Sequence, residues 1–120
     1  MFMLRRKFDS VGYALRGLKV AYAEESNFQI QIVLAVLALL FGAYFNLSVI
    51  EWLFILCSTG LVLTAELINT ALEELCDMLK VTHDPHVAKI KDIAAGAVLV
   101  ASSTALLIGL VIFLPKFFAL

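Results

Sequence analysis

The sequence predicts an all-α membrane protein with three transmembrane helices and one N-terminal amphipathic surface helix. Two observations predict this fold. Hydrophobic residues make up 62% of the 120 residues and charged residues only 16%, which is too apolar for a soluble domain of this length. Long apolar runs also recur along the chain, and in lipid such runs must satisfy their backbone hydrogen bonds internally, as helices do. We predict one domain over residues 1–120.

The N-terminal part of the chain predicts the surface helix and the first span. Residues 4–25 mix apolar and charged side chains at helical spacing, which is typical of a helix lying on a membrane surface. An apolar run then predicts the first span at residues 28–46, ending at Asn46. Its length is just sufficient for a bilayer core of roughly 30 Å.

The second and third spans follow from the remaining apolar runs. We predict the second at residues 49–79, with Trp52 at the outer interface. Pro85 breaks the helical pattern after it, because proline disfavours helical backbone in the preceding residue. The third span is predicted at residues 87–114, with Pro115 ending the helix.

The distribution of basic residues predicts the orientation in the membrane. Five basic residues precede the first apolar run, three lie between the second and third apolar runs, and one follows the third: Arg5, Arg6, Lys7, Arg16 and Lys19; Lys80, Lys89 and Lys91; and Lys116. The connection between the first two spans contains none. By the positive-inside rule, the N-terminus is predicted in the cytoplasm and the C-terminus outside.

One stripe of polar residues in the second span indicates a functional site. Glu66, Asn69, Glu73 and Asp77 are three or four residues apart, so they share one face of a helix. An ionisable group at membrane depth costs roughly 2.5–3.5 kcal/mol on insertion scales, and such groups usually line a site. The alternative is a polar clamp between helices in a non-catalytic membrane assembly protein.

The residue types on this stripe favour phosphoryl transfer to a lipid. Carboxylates bind Mg²⁺ through oxygen, often together with substrate phosphates. Lys91, on the third span, supplies a positive charge for a phosphate group. Glu66 lies deeper in the membrane and is placed to accept a proton from a lipid alcohol. The GxxxxGK[ST] motif of soluble nucleotide-binding folds is missing from the sequence.

Three segments resemble a known family. The segments GYALRGLKVAYAEESNF, AELINTALEELCDML and AKIKDIAAGAVLVA are similar to the small bacterial integral-membrane diacylglycerol kinase family, which includes the undecaprenol kinases. The resemblance extends from about Arg6 to Pro115 and rests on E-x-x-N-x-x-x-E-x-x-x-D and KD-x-x-x-G-A-V. It implies a homotrimer in the bacterial inner membrane, with active sites shared between chains and no nucleic-acid partner. It also implies an ATP- and Mg²⁺-dependent kinase that acts on diacylglycerol, with undecaprenol as the alternative substrate.

The resemblance also assigns roles to individual residues. Glu66 resembles the catalytic base and, with Asn69 and Arg6, part of the lipid site. Glu25 and Glu73 resemble the Mg²⁺ ligands, whereas Glu24 lacks the spacing to Phe28 that family members have. The residues that the resemblance assigns to the nucleotide site are Arg6, Tyr13, Glu25, Glu73, Asp77, Lys91 and Asp92.

The loop before Pro85 departs from the family pattern. Thr82 and His83 stand where many members have a Tyr-His pair. The resemblance therefore assigns no adenine contact to this loop. We interpret the HDPH segment around Pro85 as a solvated loop, because a zinc site would need further cysteine or histidine ligands nearby.

Overall fold

A computed structural model describes residues 2–79 and 84–120, and these residues form four helices in sequence. The helices are α1 (Phe2–Glu24), α2 (Ser26–Tyr44), α3 (Val49–Met78) and α4 (Pro85–Phe118). No strand is present in these two ranges. The all-α prediction is confirmed. The predictions for Lys80, Thr82 and His83 lie outside the described residues.

Three of the helices are long and apolar enough to cross a membrane, as predicted. They are α2, α3 and α4, with 19, 30 and 34 residues. At 1.5 Å per residue, α2 is about 28 Å long and matches a hydrocarbon core of roughly 30 Å. The helices α3 and α4, at about 45 and 51 Å, extend beyond a core of that thickness.

The N-terminal helix α1 differs in character from the other three. Arginine, lysine, aspartate and glutamate are distributed along it, and its only buried residue is Ala21. Glu25, with extended backbone angles (φ −112°, ψ 108°), separates it from α2, which begins two residues before the predicted span. The Gln29 amide donates to the Tyr22 carbonyl oxygen at 2.7 Å and ties α2 to the end of α1.

A Schellman turn ends α2. Asn46 has φ 53°, a left-handed conformation that asparagine tolerates better than most residues. The Asn46 N–H donates to the Ala43 carbonyl at 3.4 Å, and the Leu47 N–H donates to the Gly42 carbonyl at 3.2 Å. These two bonds define the motif, and the buried side chain of Leu47 supplies its usual apolar contact. The chain therefore reverses direction within four residues.

The turn lets α2 and α3 approach closely at Gly42. A Cβ atom on this glycine would lie 2.6 Å from Cη2 of Trp52 and 3.0 Å from Cδ1 of Leu47. Gly42 is thus the contact surface for the indole ring of Trp52, whose position near the start of α3 was predicted from the sequence.

The helices α3 and α4 are antiparallel and are joined by an ion pair near each end. Lys91 Nζ lies 3.0 Å from Asp77 Oδ1, and Lys116 Nζ lies 3.2 Å from Glu51 Oε2. Glu51 also accepts a hydrogen bond from the Ser48 backbone N–H, while the Ser48 hydroxyl accepts from the Glu51 N–H. This capping box begins α3. We call the end of the helices that carries Asp77 and Lys91 the acidic end.

The structure corrects both predicted bounds of the last helix. We predicted a start at Val87, but α4 begins at Pro85, where the Asp84 carboxylate accepts the His86 N–H at 2.7 Å. Proline is favoured in the first helical position because a backbone N–H at that position would have no partner within the helix. The prediction that Pro115 ends the helix is wrong, since α4 continues to Phe118.

Contacts of the last turn of α4 explain why Pro115 is tolerated. The ring centroid of Phe117 lies 5.4 Å from that of Phe41 and 4.9 Å from that of Phe45. Lys116 pairs with Glu51, and the Ala119 N–H donates to the Pro115 carbonyl at 3.1 Å. The proline removes one backbone donor, but these contacts still hold the turn against α2 and α3.

We predict that Gly42→Ala lowers the stability of the folded protein, because the new methyl group overlaps the Trp52 ring. Overpacking of this kind costs about 1–3 kcal/mol. Thermal unfolding in detergent micelles measures the effect. Gly60→Ala is the matched control, since a Cβ there has no neighbour within 4 Å in the part of the chain that is described. Equal melting temperatures for Gly42→Ala and Gly60→Ala contradict the predicted contact.

Candidate functional site

The predicted polar stripe is present on α3, and its deepest member is fully buried. Glu66 is 2% exposed and Asn69 is 7% exposed. Among residues 2–79 and 84–120, Glu66 is the only charged residue that is buried. Burial of a carboxylate in apolar surroundings is unfavourable unless a nearby group compensates for the lost hydration. The neighbours of Glu66 therefore define the site.

A side chain from α2 makes the first contact with this carboxylate. The Gln31 Nε2 amide donates to Glu66 Oε2 at 3.4 Å. The sequence analysis did not include Gln31 among the site residues. The sequence shows an amide side chain at the start of an apolar span, but it does not reveal which face of α3 this side chain contacts.

Asn69, one turn after Glu66, contacts the following turn of α3. Its Nδ2 amide donates to Glu73 Oε1 at 3.2 Å, a contact between side chains four residues apart. The Asn69 Oδ1 and Thr70 Oγ1 atoms are buried and have no hydrogen-bond partner in the described structure. Buried polar atoms are nearly always hydrogen-bonded, so these two are available for a further ligand or water.

Glu25, at the break between α1 and α2, and Glu73 both act electrostatically on Glu66. Within the described residues, no lysine or arginine forms an ion pair with any of these three carboxylates. Three negative groups without a basic partner form a site that favours a cation.

The donor set fits Mg²⁺ shared with a phosphate better than a metal held by protein alone. Across 2–79 and 84–120, no three histidine, cysteine, aspartate or glutamate side chains are close enough to hold a metal ion by themselves. Mg²⁺ is often bound by one or two carboxylates together with substrate phosphates and water. Glu25 and Glu73 are the two carboxylates to which the family resemblance assigns this role.

The acidic end of α3 also presents a positive charge. Lys91 Nζ pairs with Asp77 Oδ1 at 3.0 Å, with 41% and 65% of the two side chains exposed. Exposed pairs contribute at most about 1 kcal/mol, so the Lys91 ammonium is readily transferred to a stronger anion. Glu73 also acts electrostatically on Lys91. Polar groups thus extend from Gln31 through the carboxylates to Lys91.

Three predicted site residues are not brought to Glu66 within one chain. Arg6 lies on exposed α1 with its guanidinium 5.0 Å from the Phe2 ring centroid. The Tyr13 ring, also exposed, stacks with Arg16 at 5.3 Å. Asp92 is exposed on α4 beside Lys91. The roles predicted for these residues stay predictions.

An apolar cleft begins at the site. It has a volume of about 470 Å³ and lies between α2, α3 and α4. Gln31 lines one end, and Phe113 and Phe117 line the other. The side chains between them are mainly aliphatic, so the cleft offers an apolar surface that leads away from Glu66.

Comparison with known proteins identifies a family. Residues 12–113 match the family described as prokaryotic diacylglycerol kinase. The chain is 41% identical to undecaprenol kinase of Bacillus subtilis over 113 residues, which cover 94% of this chain and 92% of the relative. It is 35% identical to diacylglycerol kinase of Synechocystis over 112 residues, which cover 92% of this chain and 64% of the relative. It is 27% identical to diacylglycerol kinase of Escherichia coli K12 over 96 residues, which cover 80% of this chain and 79% of the relative.

We predict that Glu66→Gln folds and melts at or above the temperature of the unmodified protein. The substitution removes one of three neighbouring negative charges and keeps an oxygen that accepts the Gln31 N–H. Glu66→Leu is the contrasting variant, because it leaves the Gln31 amide without an acceptor, at a cost of about 1–3 kcal/mol. Thermal unfolding in detergent without Mg²⁺ or ATP tests whether Glu66→Gln melts above Glu66→Leu. A Glu66→Gln protein that unfolds below Glu66→Leu contradicts the prediction.

Proposed function

Because the chain belongs to the prokaryotic diacylglycerol kinase family, it is a lipid kinase, and we propose that Glu66 is its catalytic base. The family excludes the non-catalytic assembly protein considered from the sequence. The observation that carries our proposal is the buried Glu66 carboxylate, which lies in an apolar helix beside an apolar cleft and two further carboxylates. The reaction is transfer of the γ-phosphoryl group of ATP to the hydroxyl group of a membrane lipid.

The lipid hydroxyl group gives its proton to Glu66 while the lipid oxygen bonds to the γ-phosphorus of ATP. The bond between the γ-phosphorus and the β–γ bridging oxygen breaks. ADP and the lipid phosphate are the products. Asn69 lies one turn from Glu66 and donates to Glu73. It therefore positions the Glu73 carboxylate, on the phosphate side of the site, relative to Glu66 on the lipid side. A positioned base typically contributes roughly 10²–10⁴-fold to such a reaction.

We assign the ATP phosphates to the acidic end. Lys91 exchanges its exposed partner Asp77 for phosphate oxygens, which carry more charge than one carboxylate. Asp77 and Asp92 then complete the surrounding hydrogen bonds. Arg6 and Tyr13 are assigned to the nucleotide, and Arg6 also to the lipid headgroup, in keeping with the resemblance.

Glu25 and Glu73 are the residues that would hold Mg²⁺ together with the ATP phosphates. Bound there, Mg²⁺ would supply charge neutralisation for the phosphoryl oxygens. Glu25 and Glu73 position it, and the spacing along α3 keeps Glu66 free for the lipid. Glu66 therefore has a different role from the other two carboxylates.

The placement of α1 favours an assembly. Arg6 and Tyr13 are exposed and contact side chains of their own helix, yet the resemblance assigns both to the active site. We propose a homotrimer in the bacterial inner membrane in which α1 of one chain serves the site of a neighbour. The N-terminus and the acidic end then face the cytoplasm, where ATP is available, and the C-terminus lies outside.

Between the two substrates considered from the sequence, we propose undecaprenol. The specific observation in its favour is the 41% identity to an undecaprenol kinase over 94% of the chain, against 27% and 35% for two diacylglycerol kinases. Diacylglycerol, which the sequence resemblance placed first, is the second candidate. Glu66 and Lys91 serve either alcohol in the same way.

The substrate assignment predicts ATP-dependent phosphorylation of undecaprenol by the purified protein in mixed micelles. We expect a higher kcat/KM for undecaprenol than for diacylglycerol, and a kcat for Glu66→Gln that is lower by roughly 10²–10⁴-fold, the contribution of a positioned base. Labelled phosphate in the extracted lipid measures both. Preferential phosphorylation of diacylglycerol reverses the substrate assignment. Full activity of folded Glu66→Gln refutes the base assignment.

The metal assignment predicts that Glu25→Gln and Glu73→Gln raise the Mg²⁺ concentration needed for half-maximal activity by at least tenfold. The neutral amide is a weaker ligand for a hard cation than a carboxylate. Mg²⁺ titrations at saturating ATP and lipid measure the effect. Glu24→Gln and Glu74→Gln are the matched controls, because each is adjacent in sequence and exposed. A larger effect at position 24 than at position 25 reassigns the ligand to Glu24.

A further inference from the structure

We propose that Gln31 is a positioning residue that orients the Glu66 carboxylate toward the lipid hydroxyl. This inference rests on the proposed role of Glu66 as the base. Gln31 is on α2 and Glu66 is on α3, and the Nε2–Oε2 distance of 3.4 Å joins the two helices at the start of the apolar cleft. No other side-chain hydrogen bond to Glu66 is present among residues 2–79 and 84–120.

The need for this contact follows from the freedom of a glutamate side chain. Without a donor on Oε2, the carboxylate rotates about its terminal bond and samples orientations toward Asn69 and the other carboxylates. With Oε2 held by Gln31, Oε1 is left to accept the proton of the substrate. Positioning of a reacting group within a narrow angular range contributes strongly to catalysis.

The orientation of the Gln31 amide is set by Glu66 as well. If the amide were turned over, its carbonyl oxygen would face a carboxylate oxygen, and two acceptors repel. The observed orientation leaves Gln31 Oε1 buried without a hydrogen-bond partner in the described structure. A buried acceptor without a partner is unfavourable. The amide keeps this arrangement because its N–H is committed to Glu66.

The length of the contact is compatible with this role. At 3.4 Å it is near the upper limit for a hydrogen bond, as catalytic hydrogen bonds often are before substrate binds. A lipid headgroup entering the cleft excludes water from the pair, and a lower local dielectric strengthens a hydrogen bond to a charged oxygen. The positioning effect is thus greatest in the complex that reacts.

The chain supplies a matched control two residues earlier. Gln29 is on the same helix, but its amide donates to the Tyr22 carbonyl and not to the site. Methionine is close to glutamine in shape and cannot donate, so Gln31→Met and Gln29→Met remove the same group from two different contacts. Gln31→His restores an N–H donor of similar reach and is the rescue variant.

The experiment measures kcat, KM for ATP and lipid, and thermal unfolding for the unmodified protein and these three variants. We expect Gln31→Met to lower kcat roughly tenfold, since the reacting carboxylate loses the group that orients it. Both KM values stay within about twofold, as for a change that affects the chemical step and not substrate binding. The melting temperature is retained, Gln31→His recovers most of kcat, and Gln29→Met has the unmodified kcat.

The outcomes separate this inference from the proposed function. If the unmodified protein is active, Glu66→Gln is inactive and Gln31→Met keeps full kcat, the positioning role is refuted and the base assignment stands. A loss of kcat in Gln31→Met that Gln31→His does not recover, or that follows a matching loss of melting temperature, assigns Gln31 to packing and also refutes the inference. Should Gln31→Met not fold, Gln31→Ala replaces it under the same criteria. Activity of folded Glu66→Gln refutes the proposed function itself.

Discussion

Burial of the Glu66 carboxylate is the constraint on which the rest of the structure depends. A charged group inside an apolar bundle must recover part of its lost hydration from neighbours, and no described side chain of α3 hydrogen-bonds to Glu66. Gln31 on α2 provides the N–H that faces it. The register between α2 and α3 is therefore tied to this contact at one end, and to the approach of Trp52 to Gly42 at the other. A shift of one residue between these helices breaks both.

The helix α3 acts as the common support of the site because its neighbours are fixed to it near each end. Asp77 pairs with Lys91 at the acidic end, and Glu51 pairs with Lys116 at the other. Asp77 lies 26 positions after Glu51, and Lys116 lies 25 positions after Lys91. These separations correspond to about 39 and 38 Å of helix, so the two antiparallel segments match in length. Lys91 and Glu66, to which we assign phosphate binding and proton transfer, thus belong to the same pair of packed helices.

Much of this could be predicted from the sequence, and the failures have physical causes. The stripe from Glu66 to Asp77 follows from helical periodicity, which is a local property, and the structure retains it. The contact of Gln31 with Glu66 depends on how α2 rotates against α3, which no local pattern encodes. Pro115 was misread because its effect on a helix depends on contacts of the following turn, here made by Phe117. Pro85 was read only as a breaker, although with Asp84 before it the same residue begins a helix.

The remaining gap between sequence and site concerns α1. Arg6 and Tyr13 both contact side chains of their own helix: the Arg6 guanidinium lies over the Phe2 ring, and the Arg16 guanidinium lies over the Tyr13 ring. Such exposed cation–π contacts contribute about 0.5–1 kcal/mol, so phosphate oxygens compete with them readily. The acidic cluster of Glu25, Glu66 and Glu73 repels a nucleotide unless cations accompany it. We propose that Lys91, Mg²⁺ and the arginines of a neighbouring α1 together supply these cations. In our proposal the charge balance of the site thus requires both the metal ion and the assembly.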